Sequence, residues 1–187
     1  MQHIAKLVSL GVLGAVIGAA PVQAQIRIGS VVSATGPAAF LGDPERKTLE
    51  LYVEKINAEG GVNGEELELI VYDDEGDANK ARTFASRLID NDEVVAIVGG
   101  STTGTTMAVV PLAEDAEIPF ISMAGAVTIV EPVKPFVFKT PPTDRMACEK
   151  IYGDMNARGI AKIGMISGTD AFGSSMREQC LATAEAH

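Results

Sequence analysis

The chain is poor in the residue types that carry most enzyme chemistry. Of its 187 residues two are histidines, His3 and the terminal His187. No Ser-His-Asp triad, zinc-protease helix or histidine acid–base pair can therefore be assembled from the body of the sequence. Cysteine is equally scarce: Cys148 and Cys180 alone, which make neither a metal site nor a redox motif. Basic residues are few, 15 Lys and Arg against 25 Asp and Glu for a net charge of −10. Without a basic patch to track phosphates, nucleic acid is excluded as a partner. Nucleotide loops are missing too. The run GGSTTGTT lacks the Gly-Lys-Ser/Thr ending, and Gly99, Gly100 and Gly104 do not fit the dinucleotide spacing. The acidic stretch DDEGDANKARTF, 73–84, has no glycine at its sixth place and Phe84 at its twelfth, so it reads as a solvated turn rather than a calcium loop. Asp73, Asp74 and Asp170 read as surface acids, and no metal or cofactor is implied.

Long hydrophobic runs are also lacking, apart from LVSLGVLGAVIGAA at 7–20. That run is too short to span a bilayer but suits the core of a signal peptide. The basic start MQHIAK precedes it, and Val22-Gln23-Ala24 follows as a small-x-small cleavage pattern. The expectation is export, with cleavage after Ala24 and a mature chain from Gln25; an uncleaved anchor is the competing reading. Without Lys6 the mature chain carries 14 bases against 25 acids, a net of −11. No cysteine follows the cleavage site, so a lipid anchor is not indicated. In an exported protein Cys148 and Cys180 have the chance to pair, and sequence leaves that open because it cannot supply their separation.

What is present is an alternation of short apolar runs with amphipathic segments. Strands are predicted at 26–32, 94–98, 118–122, 136–140 and 162–167, and within 62–74, which reads as a turn followed by a strand with Leu67, Leu69 and Val71 alternating with Glu68 and Ile70. Helices are predicted between them, the first capped by Asp43 with Pro44 at its first position, and the second opened by Asp77 with Ala81, Phe84, Ala85 and Leu88 on one face. A helix through 105–116 is expected to kink at Pro111. Such alternation predicts an α/β fold with a parallel sheet covered by helices on both faces. Four prolines between Glu131 and Pro142 mark a boundary, after which the pattern restarts with a helix over 143–157.

Three loops leave the predicted strands at their carboxyl edge: 33–42, 99–106 and 123–126. All are built chiefly from Gly, Ala, Ser and Thr, and none carries a charge. Ligands of open parallel sheets bind at that edge. Small residues let backbone N–H groups approach a guest, and a helix N-terminus favours a carboxylate without any arginine. The same hydroxyls could equally be ordinary helix caps.

Three segments carry a resemblance: INAEGGVNGEELELIVYDDEGD at 56–77, SATGPAAFLGD at 33–43 and AIVGGSTTG at 96–104. Together they closely resemble the leucine/isoleucine/valine-binding family of periplasmic solute-binding proteins of ABC importers. The resemblance spans residues 25–187. It implies a periplasmic-binding-protein type I fold: two doubly wound parallel-sheet lobes joined by a hinge, in proteins about twice this length. By that reading 25–139 form a first lobe lacking its returning part, Thr140, Pro141 and Pro142 a hinge crossover, and 143–187 the start of an incomplete second lobe. A product of this length is then expected to be marginally stable and a weak binder.

The resemblance also implies site residues. Thr103 falls where a hydroxyl residue holds the ligand carboxylate, flanked by Ser101 and Thr102. Ala124 falls at a carbonyl that accepts the ligand ammonium in amino-acid binders. Ala126 stands where those proteins place threonine, and Leu41 and Phe172 where they place tyrosines. The losses imply a more apolar, roomier cleft, and SMAGAVTIVEP and FVFKTPPTDRMA are similar to members that bind aromatic carboxylates. The implied protein is a periplasmic, monomeric binder that delivers a hydrophobic or branched-chain amino acid, or an aromatic acid, to an ABC permease in the inner membrane. A ligand-sensing module of the same fold and a periplasmic enzyme are the alternatives.

Overall fold

A computed structural model describes residues 25–185; the predicted signal segment lies outside them. Each apolar run up to residue 139 becomes a strand: β1 (Ile26–Val32), β2 (Leu67–Asp73), β3 (Ala96–Gly99), β4 (Phe120–Ser122) and β5 (Val137–Lys139). They form one fully parallel sheet in the order β2-β1-β3-β4-β5. The chain steps outward from β1 to β2, then returns past β1 to β3. Right-handed crossovers therefore put α1 (Ala39–Ala58) on one face, and α2 (Ala78–Asp90) and α3 (Thr103–Asp115) on the other. The reversal of direction lies between β1 and β3, which is where such sheets open a crevice.

The main core lies under α2 and α3. Ala81, Ala85 and Leu88 of α2 are fully buried against Val31, Ile97, Val109 and Phe120. Small residues at 81 and 85 let α2 approach the sheet closely, and Leu88 fills the space over Gly29, where an added Cβ would stand 2.8 Å from its Cδ1. Phe84 stacks on Tyr72, with ring centroids 4.9 Å apart. Asp77 caps α2 as its position predicts, accepting from the N–H groups of Asn79 and Lys80. Pro111 lies inside α3.

The start of α1 differs from expectation. The helix begins at Ala39, so Asp43 and Pro44 sit inside it rather than at its cap. Asp43 instead pairs with Arg46 at 3.0 Å and Lys47 at 2.6 Å. The early start is made possible by Gly42, which presses on Ser33: a Cβ there would collide with the Ser33 backbone carbonyl. Bonds from Ala39 N–H to the Gly36 carbonyl and from Leu41 N–H to the Ala38 carbonyl hold the opening turn. A cap side chain is therefore dispensable.

Beyond β5 the chain enters α4 (Asp144–Ala157) and α5 (Ala171–Ala184), joined by a disulfide between Cys148 and Cys180 with Cα atoms 5.0 Å apart. Sequence left that pairing open; the structure resolves it. The two cysteines and Tyr152 form a second, smaller core, with Met155 and Met176 packed against it. The predicted strand at 162–167 is absent. A strand is held by ladder bonds to a neighbour, and no strand among the described residues lies beside this segment, whose Ile163, Met165 and Ile166 are exposed. No helix of the described residues is long and apolar enough to cross a membrane.

Candidate functional site

Register brings the three small-residue loops together. β1 and β2 end side by side, with Val32 opposite Asp73, so Ser33 meets Asp74. Gly100 N–H donates to the Val31 carbonyl at 2.7 Å, and Met123 N–H to the Gly99 carbonyl at 2.9 Å. These contacts set the ends of β1, β3 and β4 around a cleft of about 660 Å³. Gly100 makes the turn into α3 with φ +74°, and a Cβ there would collide with Thr106 Oγ1.

The hydroxyls around this turn divide by task. Thr102 caps α3, accepting from Thr105 N–H, while Thr105 Oγ1 accepts from Thr102 N–H in a reciprocal capping box. Thr106 donates to the Gly100 carbonyl or shares a bond with Ser122, each at 3.0 Å. Ser101 Oγ accepts from Ser33 N–H at 2.9 Å and donates to the Glu45 carboxylate. Thr103 is the exception. It lines the cleft, is 3% exposed, and its Oγ1 has no hydrogen-bond partner. Beside it the N–H groups of Thr103 and Gly104 open a helix, where no intrahelical acceptor exists. The capping duty and the unpartnered hydroxyl thus fall on different residues.

Of the residues singled out from sequence, Leu41, Ser101, Thr102, Thr103, Ala124 and Phe172 share this cleft wall, as does Pro141 of the expected hinge. Ala126 does not; it is fully buried at the start of a short 3-10 turn (Val127–Ile129). Thr140 N–H extends the ladder to the Ser122 carbonyl, and the Pro142 carbonyl accepts from Lys139 Nζ. Phe172 comes from α5 and reaches back to the first three-layer unit, where a Cβ on Gly125 would stand 2.9 Å from its ring.

Sequence reasoning missed Phe40, Met123, Glu75 and Asp170, all on the same wall. Phe40, 76% exposed, could have been found as an apolar neighbour of Leu41 in a loop otherwise small and polar. Glu75 pairs with Lys80 at 2.7 Å, and Asp170 caps α5 by accepting from Gly173 N–H at 2.6 Å. No lysine or arginine lines the cleft among the described residues. Lys139 is nearby but turned to the carbonyls of Gly125 and Pro142, and burial pushes its ammonium below the usual lysine range.

Behind the wall lies an acidic cluster. Asp74 is fully buried, contrary to its reading as a surface acid, and accepts from Ser33 Oγ at 2.6 Å and Gly76 N–H at 2.8 Å. Burial, helped by the neighbouring Asp73 charge, raises its pKa above the ordinary aspartate value. Half-buried Glu45 is raised likewise, by desolvation first and by Asp74 second. Asp73 goes the other way. Burial opposes the shift, but bonds from the Thr35 hydroxyl and from the N–H groups of Glu75, Thr35 and Ala34 outweigh it and lower its pKa.

A doubly wound sheet with a hydroxyl-lined crevice at its switch point, free of lysine and arginine, is the setting in which small molecules bind. The chain belongs to the periplasmic binding protein family, whose model matches residues 25–187. It is 40% identical over 121 residues to Leu/Ile/Val-binding protein homolog 7 of Brucella melitensis, an alignment covering 65% of this chain and 30% of that protein. It is 33% identical over 181 residues to homolog 8 of Brucella suis, covering 90% and 44%. Among solved structures it is similar to a solute-binding protein of an ABC transporter from Rhodopseudomonas palustris BisB5 in complex with 3,4-dihydroxybenzoic acid. That likeness has a TM-score of 0.78 and 28% identity, and covers 87% of this chain and 44% of the other. The chain thus spans less than half the length of these relatives. All three are binding proteins by name.

Proposed function

We propose that the protein is the extracytoplasmic substrate-binding component of an ABC importer, exported through a cleaved signal peptide, which captures a small carboxylate and passes it to an inner-membrane permease. The observation that carries this reading is Thr103 Oγ1, buried and unpartnered at a helix N-terminus inside the cleft. A carboxylate oxygen satisfies that hydroxyl and the adjacent N–H groups at once, and the helix end supplies the missing positive potential. Ser101 and Thr102 flank the contact, and Ala124 lines the same cleft. Phe40, Leu41, Met123 and Phe172 give that body an apolar bed, which favours an aromatic or otherwise hydrophobic acid. The hinge at Thr140, Pro141 and Pro142 lets the second lobe close, after which a monomer presents the loaded cleft. Neither metal nor cofactor takes part.

A second reading, an aliphatic α-amino acid, is favoured by the carboxylates of Glu75 and Asp170 on the wall, which suit an ammonium. Melting shifts of the full-length protein against benzoate, 3,4-dihydroxybenzoate, leucine, isoleucine and valine separate the two. Shifts with the aromatic acids are expected; a response to amino acids alone overturns the aromatic reading, and no response to any carboxylate overturns the proposal.

A further inference from the structure

Ser101 has one hydroxyl hydrogen, and Glu45 holds it. Oγ of Ser101 accepts from Ser33 N–H and is bonded to Glu45 Oε2. An ionised carboxylate can only accept, so the hydrogen must lie toward Glu45 and away from the cleft that Ser101 lines. A protonated Glu45 can donate instead. Ser101 Oγ then accepts twice, from Ser33 and Glu45, and its own hydrogen is free to turn to a guest.

We propose, resting on the carboxylate-binding reading above, that Glu45 is a positioning residue of the anion site: its protonation reverses the bond to Ser101, hands the serine hydrogen to the bound acid, and couples capture of that acid to proton uptake. Two effects act in the same direction. The freed hydroxyl adds a donor to the guest. Loss of charge at Glu45 also removes a negative neighbour from a site that has no lysine or arginine on its wall.

The surroundings of Glu45 support a proton there. Just past β2 stands Asp74, whose charge acts on Glu45; Asp74 is buried, has one oxygen without a partner, and lies beside Asp73. From the turn into α3 Glu45 meets the uncharged Ser101. On α1 itself the nearby charges are engaged with each other, Arg46 with Asp43 and Glu50, and Lys47 with Asp43. Burial and the Asp74 charge raise the affinity of Glu45 for a proton above that of a free glutamate. The opposing influence is the Ser101 bond itself, the one that a proton would reverse.

The test is calorimetric titration of the full-length protein with benzoate, 3,4-dihydroxybenzoate and leucine between pH 5.5 and 8, in two buffers of different ionisation enthalpy. The probe that binds is expected to bind about tenfold more tightly at pH 5.5 than at pH 8, the worth of one charge-assisted hydrogen bond. Proton uptake should accompany it above the ordinary glutamate value. Glu45→Gln should bind with an affinity independent of pH and without uptake, and Ser101→Ala should lose most of the pH dependence. Binding by the unaltered protein with no proton uptake overturns the role of Glu45 and leaves the carboxylate reading standing. A pH dependence that survives Glu45→Gln also overturns it, placing the proton elsewhere. Failure of all three probes at every pH removes the carboxylate reading and this inference with it. Where a variant fails to fold, absence of proton uptake by the unaltered protein still overturns the proposal.

Discussion

Thr103 stands apart from its neighbours because every other hydroxyl at the turn is committed. Thr103→Ala should therefore weaken carboxylate binding about 10- to 100-fold with little change in melting, since no internal bond is lost. Thr103→Ser should retain most of the affinity; equal loss in both variants would mean the hydroxyl is not the contact. The acids behind it predict a pH effect on stability. The folded-state pKa values of Glu45 and Asp74 are raised, so the folded protein holds their protons more tightly than the unfolded chain. Their contribution is full below the ordinary values of 4.5 and 3.8, and is lost as pH climbs through the raised ones. Asp73, with a lowered pKa, acts in the opposite sense at lower pH. Denaturant melts should show Glu45→Gln gaining on the unaltered protein between pH 5 and 8; parallel curves would refute the shift.

At the scale of elements, α1 depends on one close contact and the α4–α5 pair on one covalent bond. Gly42→Ala must push α1 off the Ser33 backbone, since backbone atoms offer no flexible end to yield. A loss of about 1–3 kcal/mol is expected, read by chemical denaturation. Reducing the Cys148–Cys180 bond opens a loop with a sequence separation of 32. The chain-entropy account assigns that closure roughly 3–4 kcal/mol, so far-ultraviolet dichroism should show the helices of 144–184 melting earlier in reductant. Strands buried on both faces announced themselves as continuous apolar runs, and Asp77 announced α2 through a cap the chain had no reason to place elsewhere. The start of α1 was illegible because a backbone contact between Gly42 and Ser33, 9 positions apart, replaces the expected cap. Segment 162–167 has the composition of a strand, but composition cannot supply the neighbour a ladder needs.

In the whole molecule, Asp144 joins the sheet unit to the helical pair. Its Oδ1 accepts from Val127 N–H at 2.9 Å, its Oδ2 from Ser175 Oγ at 2.5 Å, and its own N–H donates to the Gly125 carbonyl at 3.0 Å. Asp144→Ala should cost about 2–4 kcal/mol and split one transition into two, with hydrogen exchange rising first in 127–129 and around Ser175. A single cooperative melt would refute that role. The cleft was partly legible at this scale: the three small-residue loops could be placed on one edge from the strand pattern, and the division of labour among their hydroxyls could not. Whether Ser101 bonds to a guest or to Glu45 depends on a contact between residues 56 positions apart, which spacing does not encode.

The capping box of Thr102 and Thr105 has a consequence for how such a cleft changes its guest. Both side chains are already spent on locking the helix end, so the hydroxyl-lined half of the recess is rigid before anything arrives and demands little ordering on arrival. Discrimination must then fall to the apolar side chains of the same cleft, where Phe40 and Phe172 are 76% and 43% exposed. On the proposed reading, substitutions there retune preference from one guest to another at small cost in stability, so the molecule's evolutionary freedom is concentrated in a few surface side chains while the capped helix end stays fixed.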